Sequence, residues 1–299
     1  MAPRAAKKTK VAEEEFKPIA IVNGLPGAMG VEIAQACLRR KLELAPFALT
    51  GPNMPATVEV EGTTVKLINA TTDSAEFESQ VEQLRASGYT PIAIDFTHPS
   101  SVNSNADLYN KANLPFVMGT TGGDRDKLKS SVGDSKNVAV IAPNMCKQIV
   151  AFQAMFEYMQ DTFPGSFQGY DVSVTESHQS TKADTSGTAK AVCQSLAKLV
   201  NKPVEEESIT KLRTDEDSKR FGVEEQYLLG HAHHTYRLTS ADKTVVFEFK
   251  HNVNGRSTYA EGVVDAVLFL ASKLQEKPSR KKRVHVFDMV DVLKQGEMK

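Results

Sequence analysis

The sequence predicts an α/β chain in which a doubly wound parallel sheet, covered by helices on both faces, is joined to a smaller α+β domain with a mixed sheet. Three observations lead there. Short apolar runs alternate with helical stretches through the first half, and Gly/Thr-rich turns follow several of those runs. After about residue 147 the alternation gives way to period-two strands around one Ala-rich helix.

Residues 19–22, Ile-Ala-Ile-Val, form a short apolar run that reads as a buried strand. It leads into Gly24-Leu25-Pro26-Gly27-Ala28-Met29-Gly30, after which residues 31–38 carry apolar side chains at helical spacing. Strand, glycine turn and helix in that order form the context of a dinucleotide-binding fingerprint. The glycines permit a sharp turn, and the helix N-terminus receives a pyrophosphate. The spacing is G-x-x-G-x-x-G, so it is the context that carries the Rossmann-like reading. Residues 47–50, 91–95, 115–118 and 138–141 read as further strands, with helical stretches near 74–87, 101–112 and 123–131. Ligands of such sheets bind beyond the carboxyl ends of the strands. Thr50-Gly51, Phe96-Thr97, Gly119-Thr120-Thr121 and Pro143-Asn144-Met145 fall there and predict one cofactor crevice.

In the second half, residues 149–158 read as a linking helix and 170–175 as a strand. Residues 233–238 and 244–250 have period-two character with a Ser-Ala-Asp turn between them. The charged stretch 205–220 reads as an exposed connection.

The most informative segment is Glu176-Ser-His178-Gln179-Ser-Thr-Lys182-Ala-Asp-Thr-Ser186-Gly187-Thr188-Ala189. Ser186-Gly187-Thr188 opens an apolar helix running to about Val200, and the free N–H groups at such a start favour a carboxylate or phosphate. His178 and Lys182 stand just upstream. A histidine of near-neutral pKa beside an ammonium suits proton delivery to an anionic substrate. Read without its context, the segment is better taken as a polar loop before a capped helix.

Composition narrows the function class. The chain has 299 residues, 40% of them hydrophobic and 24% charged, which suits a globular protein of two ordinary domains. A formal net charge of −1 gives no global attraction to nucleic acid or to anionic membranes. No apolar run approaches the roughly 20 residues that span a bilayer. Cys37, Cys146 and Cys193 are widely spaced and read as small buried hydrophobes in a reducing compartment. Residues 1–16 read as a disordered tail or the remnant of an organellar transit peptide. His231, His233 and His234 have a superficial metal-like spacing, but no Cys or acidic motif accompanies them, so they read as sheet or interface histidines and no metal site is expected. The basic run 277–283 reads as a solvated loop.

The segments quoted above resemble the dihydrodipicolinate reductase family, also called 4-hydroxy-tetrahydrodipicolinate reductase. The glycine turn and the Ser-Gly-Thr-Ala signature with its upstream His and Lys carry the resemblance. Asp95-Phe-Thr-His-Pro99, Gly119-Thr-Thr-Gly122, Ala142-Pro-Asn-Met145 and Phe287-Asp-Met289 follow in family order. Gln179 stands where the bacterial pattern has a second histidine, which resembles the plant-type branch. The resemblance implies NAD(P)H-dependent reduction of a small cyclic dicarboxylate in the diaminopimelate route of lysine biosynthesis. After loss of water the substrate is a conjugated cyclic imine; hydride enters at C4 and the ring carbon beside it needs a proton.

By the same resemblance His178 is the proton donor, and Lys182 shares that role while holding a carboxylate. Gln179, Ser186, Gly187, Thr188 and Arg256 then bind substrate. The family division places a dinucleotide-binding domain at 17–146 and 258–299, and a substrate-binding and oligomerisation domain at 147–257. In it the chain returns through a helix at 260–273 and a final strand near 284–290. It implies a homo-oligomer, a dimer ahead of a tetramer, and a plastid-stroma location for a plant or algal protein, otherwise cytoplasmic.

Cofactor choice follows from residues. Where NAD-preferring sheets place an acid after the second strand, this chain has Thr50-Gly51-Pro52-Asn53. No carboxylate repels a 2′-phosphate, Thr50 has a hydroxyl to donate to it, and no arginine pairs with it. NADPH is expected to be preferred and NADH usable. Two other functions remain open: another two-domain NAD(P)-dependent dehydrogenase, or a non-catalytic NADP-binding sensor. Retention of His178 with Lys182 speaks against the sensor.

Overall fold

The computed structural model describes residues 16–276 and 285–296. The predicted tail, apart from Phe16, and the basic run 277–283 lie outside the described residues.

The first half winds a parallel sheet. Strand β1 (Pro18–Asn23) enters the glycine turn, and α1 (Ala28–Arg39) follows. Then come β2 (Glu43–Leu44), β3 (Phe47–Thr50), β4 (Thr57–Val60), β5 (Thr63–Asn69) and α2 (Ser74–Ala86). Next in the chain are β6 (Thr90–Asp95), α3 (Val102–Lys111), β7 (Phe116–Met118), α4 (Arg125–Ser135) and β8 (Ala139–Ile141). The second half contains α5 (Lys147–Thr162), β9 (Asp171–His178), α6 (Gly187–Val200), β10 (Thr210–Leu212) and α7 (Asp215–Arg220). It ends with β11 (His231–Thr239), β12 (Val246–Asn254), α8 (Ser257–Gln275), β13 (Val286–Phe287) and α9 (Met289–Lys294).

A six-stranded parallel sheet runs β13-β8-β7-β6-β1-β2. Alternate residues of its strands feed two cores. Ala20, Val22, Ile92, Ile94, Val117 and Val140 pack under α1 and α8, whereas Ile19, Ile21, Ala93, Phe116, Ala139 and Ile141 pack under α2, α3 and α4. Apolar runs with no alternation are what a sheet buried on both faces requires.

The second predicted strand, 47–50, forms as β3 but does not join the parallel sheet. β2 ends at Leu44, and β3 turns to pair in parallel with β5, where Lys66 N–H donates to Pro46 O at 2.8 Å. With the β4–β5 hairpin it forms a three-stranded sheet that the sequence reading did not foresee. β3 stays beside β1 through Gly24 N–H to Leu49 O, at 3.0 Å, and Leu49 N–H to Asn23 Oδ1, at 2.8 Å.

The second sheet is mixed, β10-β9-β11-β12, with β10 parallel to β9 and the other pairs antiparallel. One face packs under α5 and α6, where Val174, Tyr236 and Leu238 meet Phe156, Val192 and Leu196. Two expectations change here. The charged stretch 205–220 is not merely an exposed connection: it supplies β10, which satisfies the free edge of β9, and α7, capped by Thr214. The chain then returns through α8 as expected, but the final strand is only Val286–Phe287, because Asp288 caps α9 with a reciprocal capping box and turns the chain helical.

A buried polar network fixes the ends of β1 and β6. Tyr109 Oη donates to Asp95 Oδ2 at 2.7 Å and accepts from Asn23 Nδ2 at 2.8 Å. Burial, and then the charge of Asp95, hold the Tyr109 phenol well above its usual pKa, so it remains a donor. Tyr109→Phe strands Asn23 and removes a bond to Asp95. It is expected to lower the unfolding free energy in urea by about 1–3 kcal/mol; an unchanged midpoint and slope would show that the network bears no load.

Candidate active site

The carboxyl ends of β1, β6, β7 and β8 stand side by side, and their loops build one crevice. Gly24 has φ +105°, and a Cβ there would lie 2.2 Å from Phe96 O, so only glycine lets the turn after β1 close on the segment after β6. Gly119, after β7, gives room to the Phe96 ring in the same way. The Thr97 N–H donates to Thr120 Oγ1 at 2.8 Å. Leu25 and Gly30 are buried and shape the turn, while Gly27 and Ala28 are exposed at the start of α1, which has no side-chain cap.

A cleft of about 420 Å³ opens beside this turn, lined among others by Gly24, Pro26, Gly27, Thr50, Phe96 and Thr97. A narrow glycine turn, an uncapped helix start and an adjoining cleft fit the pyrophosphate and ribose of a dinucleotide. Among the described residues, no Asp, Glu, Lys or Arg lines the cleft. Sequence reasoning missed Ala70 and Thr71 on its wall, because strand β5 had not been foreseen, and also His98 and Asn105.

Three predicted cofactor contacts have other duties. The Thr50 hydroxyl donates to Leu25 O at 2.7 Å, so its proton is committed inside the fold and not to a 2′-phosphate. The Thr120 hydroxyl turns inward to Asp95. Met145 is buried, and its carbonyl lies so close to Gly262 that a Cβ there would come within 1.7 Å. Thr121 and Pro143 are exposed, and neither is among the residues lining the cleft. Asn144 bridges the two sheets, since its Nδ2 donates to Thr188 Oγ1 at 3.3 Å.

Thr188 sits in the first turn of α6, whose N-cap Ser186 makes no side-chain capping bond. The N–H groups of that turn therefore remain available to an anion. Lys182 lies nearby in sequence with its Nζ 2.7 Å from Asp184 Oδ1, and this pairing holds the exposed Asp184 carboxyl below its usual pKa. Gln179 is half-buried and starts the turn closed by Lys182 N–H to Gln179 O at 3.0 Å. Arg256 is exposed, N-caps α8, and has no ion-pair partner among the described residues; its guanidinium passes over Gly230.

His178 departs most from expectation. It ends strand β9 instead of lying in a loop, and it is only 7% exposed. Nδ1 lies 3.1 Å from His231 O, which can only accept, so Nδ1 carries the hydrogen and Nε2 of the neutral ring is an acceptor. Nε2 faces His234 Nε2 at 3.4 Å, and that nitrogen is also 3.7 Å from Glu176 Oε2. Burial first, then His234, Arg213 and Lys182, bring the His178 pKa down to about 3. The near-neutral pKa expected from sequence is thus corrected: burial and the neighbouring Arg213 and Lys182 cations oppose its protonation in the free protein.

The histidine cluster also differs. His231 and His233 share one face, where His231 Nε2 meets Ser177 Oγ at 2.8 Å and His233 Nε2 meets Asn254 Oδ1 at 2.8 Å. His234 lies on the other face, accompanied by an acid after all, because the β9–β11 register sets it opposite Glu176. Glu176, His178 and His234 present ligand atoms within 4.8 Å of one another, but both Glu176 oxygens are already engaged, by Arg213 and by Ser186 N–H at 3.0 Å. All three cysteines are buried and unpaired with one another.

Comparisons with known proteins bear on the family and the fold. Residues 19–145 match the family described as "Dihydrodipicolinate reductase, N-terminus" and residues 148–293 the one described as "Dihydrodipicolinate reductase, C-terminus". The chain is 42% identical to a probable 4-hydroxy-tetrahydrodipicolinate reductase 2, chloroplastic, of Oryza sativa subsp. japonica, over 100% of this chain and 90% of that one. It is 44% identical to 4-hydroxy-tetrahydrodipicolinate reductase 2, chloroplastic, of Arabidopsis thaliana, over 93% of this chain and 78% of the relative. A solved dipicolinate-bound dihydrodipicolinate reductase from Paenisporosarcina sp. TG-14 superposes with a TM-score of 0.57 at 20% identity, covering 86% of this chain and 96% of that chain, and supports the fold.

The buried imidazole makes stability depend on pH. In the unfolded chain His178 takes up a proton near its ordinary value of 6.5, whereas in the fold it does so only near 3. The unfolded state binds more protons across that window, so stability falls as pH drops through it, by about 2 kcal/mol at pH 5 for one such group. Glu176, lowered to about 2 from 4.5, stabilises above its unfolded value and loses that contribution only below it, so it is silent between pH 7 and 5. Urea unfolding at pH 7 and pH 5 is expected to show a smaller acid loss for His178→Asn than for the unaltered protein; equal losses would mean that His178 is not held neutral.

Proposed function

The chain belongs to the dihydrodipicolinate reductase family, and from that premise we propose that it reduces the cyclic imine formed from 4-hydroxy-tetrahydrodipicolinate to tetrahydrodipicolinate, using a nicotinamide cofactor. The observation that carries the reading is the Asn144–Thr188 bond, which ties the cofactor crevice to an uncapped helix start adjoining Lys182 and His178. Residues 17–146 and 258–299 serve the cofactor, and 147–257 the substrate.

The bound nicotinamide supplies the hydride. The protein supplies orientation and a proton. Lys182 exchanges Asp184 for a substrate carboxylate, which the N–H groups of Gly187 and Thr188 also receive, with Ser186 opening the helix. Gln179 adds a neutral hydrogen bond, and Arg256, which has no ion-pair partner among the described residues, addresses the second carboxylate. His178 delivers the proton to the ring carbon beside the reduced one. A dianion beside Lys182 opposes the positive field that keeps His178 neutral, so protonation of the imidazole accompanies substrate binding.

Cofactor choice rests on a cleft without charged walls. NADPH is preferred because nothing repels its phosphate, and NADH is used because no guanidinium waits for that phosphate. Location in the plastid is supported by the word chloroplastic in the names of the plant relatives. A homodimer fits the outer strand β12, where Val246 and Phe247 are exposed.

Three measurements check these assignments. An assay of NADPH oxidation dependent on the cyclic imine should give turnover, and its absence with either nicotinamide would end the reading. His178→Ala should lower kcat by on the order of 10²–10⁴, whereas Gln179→Ala should mainly raise KM and Lys182→Ala should damage both. Gly51 has open space where a Cβ would go. Gly51→Asp should therefore cut kcat/KM for NADPH by on the order of tenfold, with NADH far less affected; equal losses would place the ribose elsewhere.

A further inference from the structure

Arg213 lies in the charged stretch that read as a connection, yet its guanidinium is largely covered and makes bonds in every direction. Its Nε donates to Lys182 O at 2.7 Å, one terminal nitrogen donates to Leu212 O at 3.0 Å, and the other donates to Asp184 O at 3.2 Å and to Glu176. Glu176 is fully buried, and its second oxygen accepts the Ser186 N–H at 3.0 Å. The loop between β9 and α6 is thus fastened through backbone groups at 182, 184 and 186. Fastening by backbone leaves the Lys182 side chain and the first N–H groups of α6 to address a ligand.

The geometry points to Arg213, anchored on Glu176, as a positioning residue that sets the distance between the Lys182 ammonium and the α6 start, and so the fit of a substrate carboxylate between them. This rests on the reading that those two elements bind the carboxylate. Arg213 itself touches neither substrate nor cofactor in that arrangement; it acts through the carbonyls it holds. A lysine in its place has one compact ammonium and no planar fork with which to reach three carbonyls and a carboxylate together.

A purely structural role would give a different response. Arg213→Met leaves the Glu176 carboxylate buried without its cation, and the variant should lose thermal stability. The double variant Glu176→Gln/Arg213→Met removes both charges and keeps an amide oxygen for Ser186 N–H, so its melting temperature should recover. Neither change should restore the loop. The expected result for both is at least a tenfold weaker binding of dipicolinate by calorimetry and a matching rise in KM for the cyclic imine, with KM for NADPH within twofold of the unaltered protein.

Amide hydrogen exchange across 179–186 should be faster in both variants. Recovery of dipicolinate affinity in the double variant, or an equal loss for NADPH, would overturn the proposal. If the unaltered protein binds no dipicolinate, it is the carboxylate reading that fails, and the positioning role falls with it. Exchange across 179–186 unchanged by Arg213→Met would instead overturn the strut itself.

Discussion

A carboxylate sealed from water has to be neutralised from within, and the way Glu176 meets that demand shapes the β9–α6 region of the second sheet. The strand alternation of β9 leaves no choice of face: Val174, Glu176 and His178 all point under the helices. Arg213 answers one oxygen and the Ser186 N–H the other. A buried pair of this kind contributes little net stability, because desolvation consumes most of the Coulombic gain, while loss of one partner costs about 3–5 kcal/mol. Its value is geometric. Three separate pieces, β10, the loop and the start of α6, are referred to one fixed point.

The cofactor side uses the same device with different chemistry. Asp95 is also fully buried, but neutral donors surround it: Thr97, Thr120, Asn105 and Tyr109. Among the described residues no cation is spent there, and none with a charged side chain lines the neighbouring cleft. Each half of the crevice therefore rests on a buried acid that organises loop backbone from below. The difference lies in what reaches the surface. The glycine turn offers N–H groups, whereas the loop after β9 adds Lys182.

The sequence was most legible where one local rule sufficed. The apolar runs of β1, β6, β7 and β8, the glycine turn, and the start of α6 at Ser186-Gly187 all follow from periodicity and turn chemistry. It was least legible where a long-range partner decides. Nothing local says that Thr210–Leu212 will complete the edge of β9, or that Arg213 will find Glu176 across 37 positions. Thr50 was misjudged for the same reason, since the acceptor for its hydroxyl, Leu25 O, lies 25 positions away. His234 is the sharpest case: three histidines in a short run separate by strand parity, and only the cross-strand register puts one of them beside an acid.

That register also bears on how a neutral histidine can serve as an acid. In the free protein the His178 ring donates through Nδ1 to His231 O and turns Nε2 toward His234, away from any need for charge. Burial, Arg213 and Lys182 all act against protonation, and Glu176 alone among the named neighbours favours it. In the proposed reaction the arriving dicarboxylate changes that balance, because its negative charge offsets the field of Lys182 and Arg213. Two consequences follow from one arrangement. The imidazole carries no charge while the site is empty, which spares the fold an unpaired buried cation, and it becomes able to hold a proton when a dianion stands beside it to receive one.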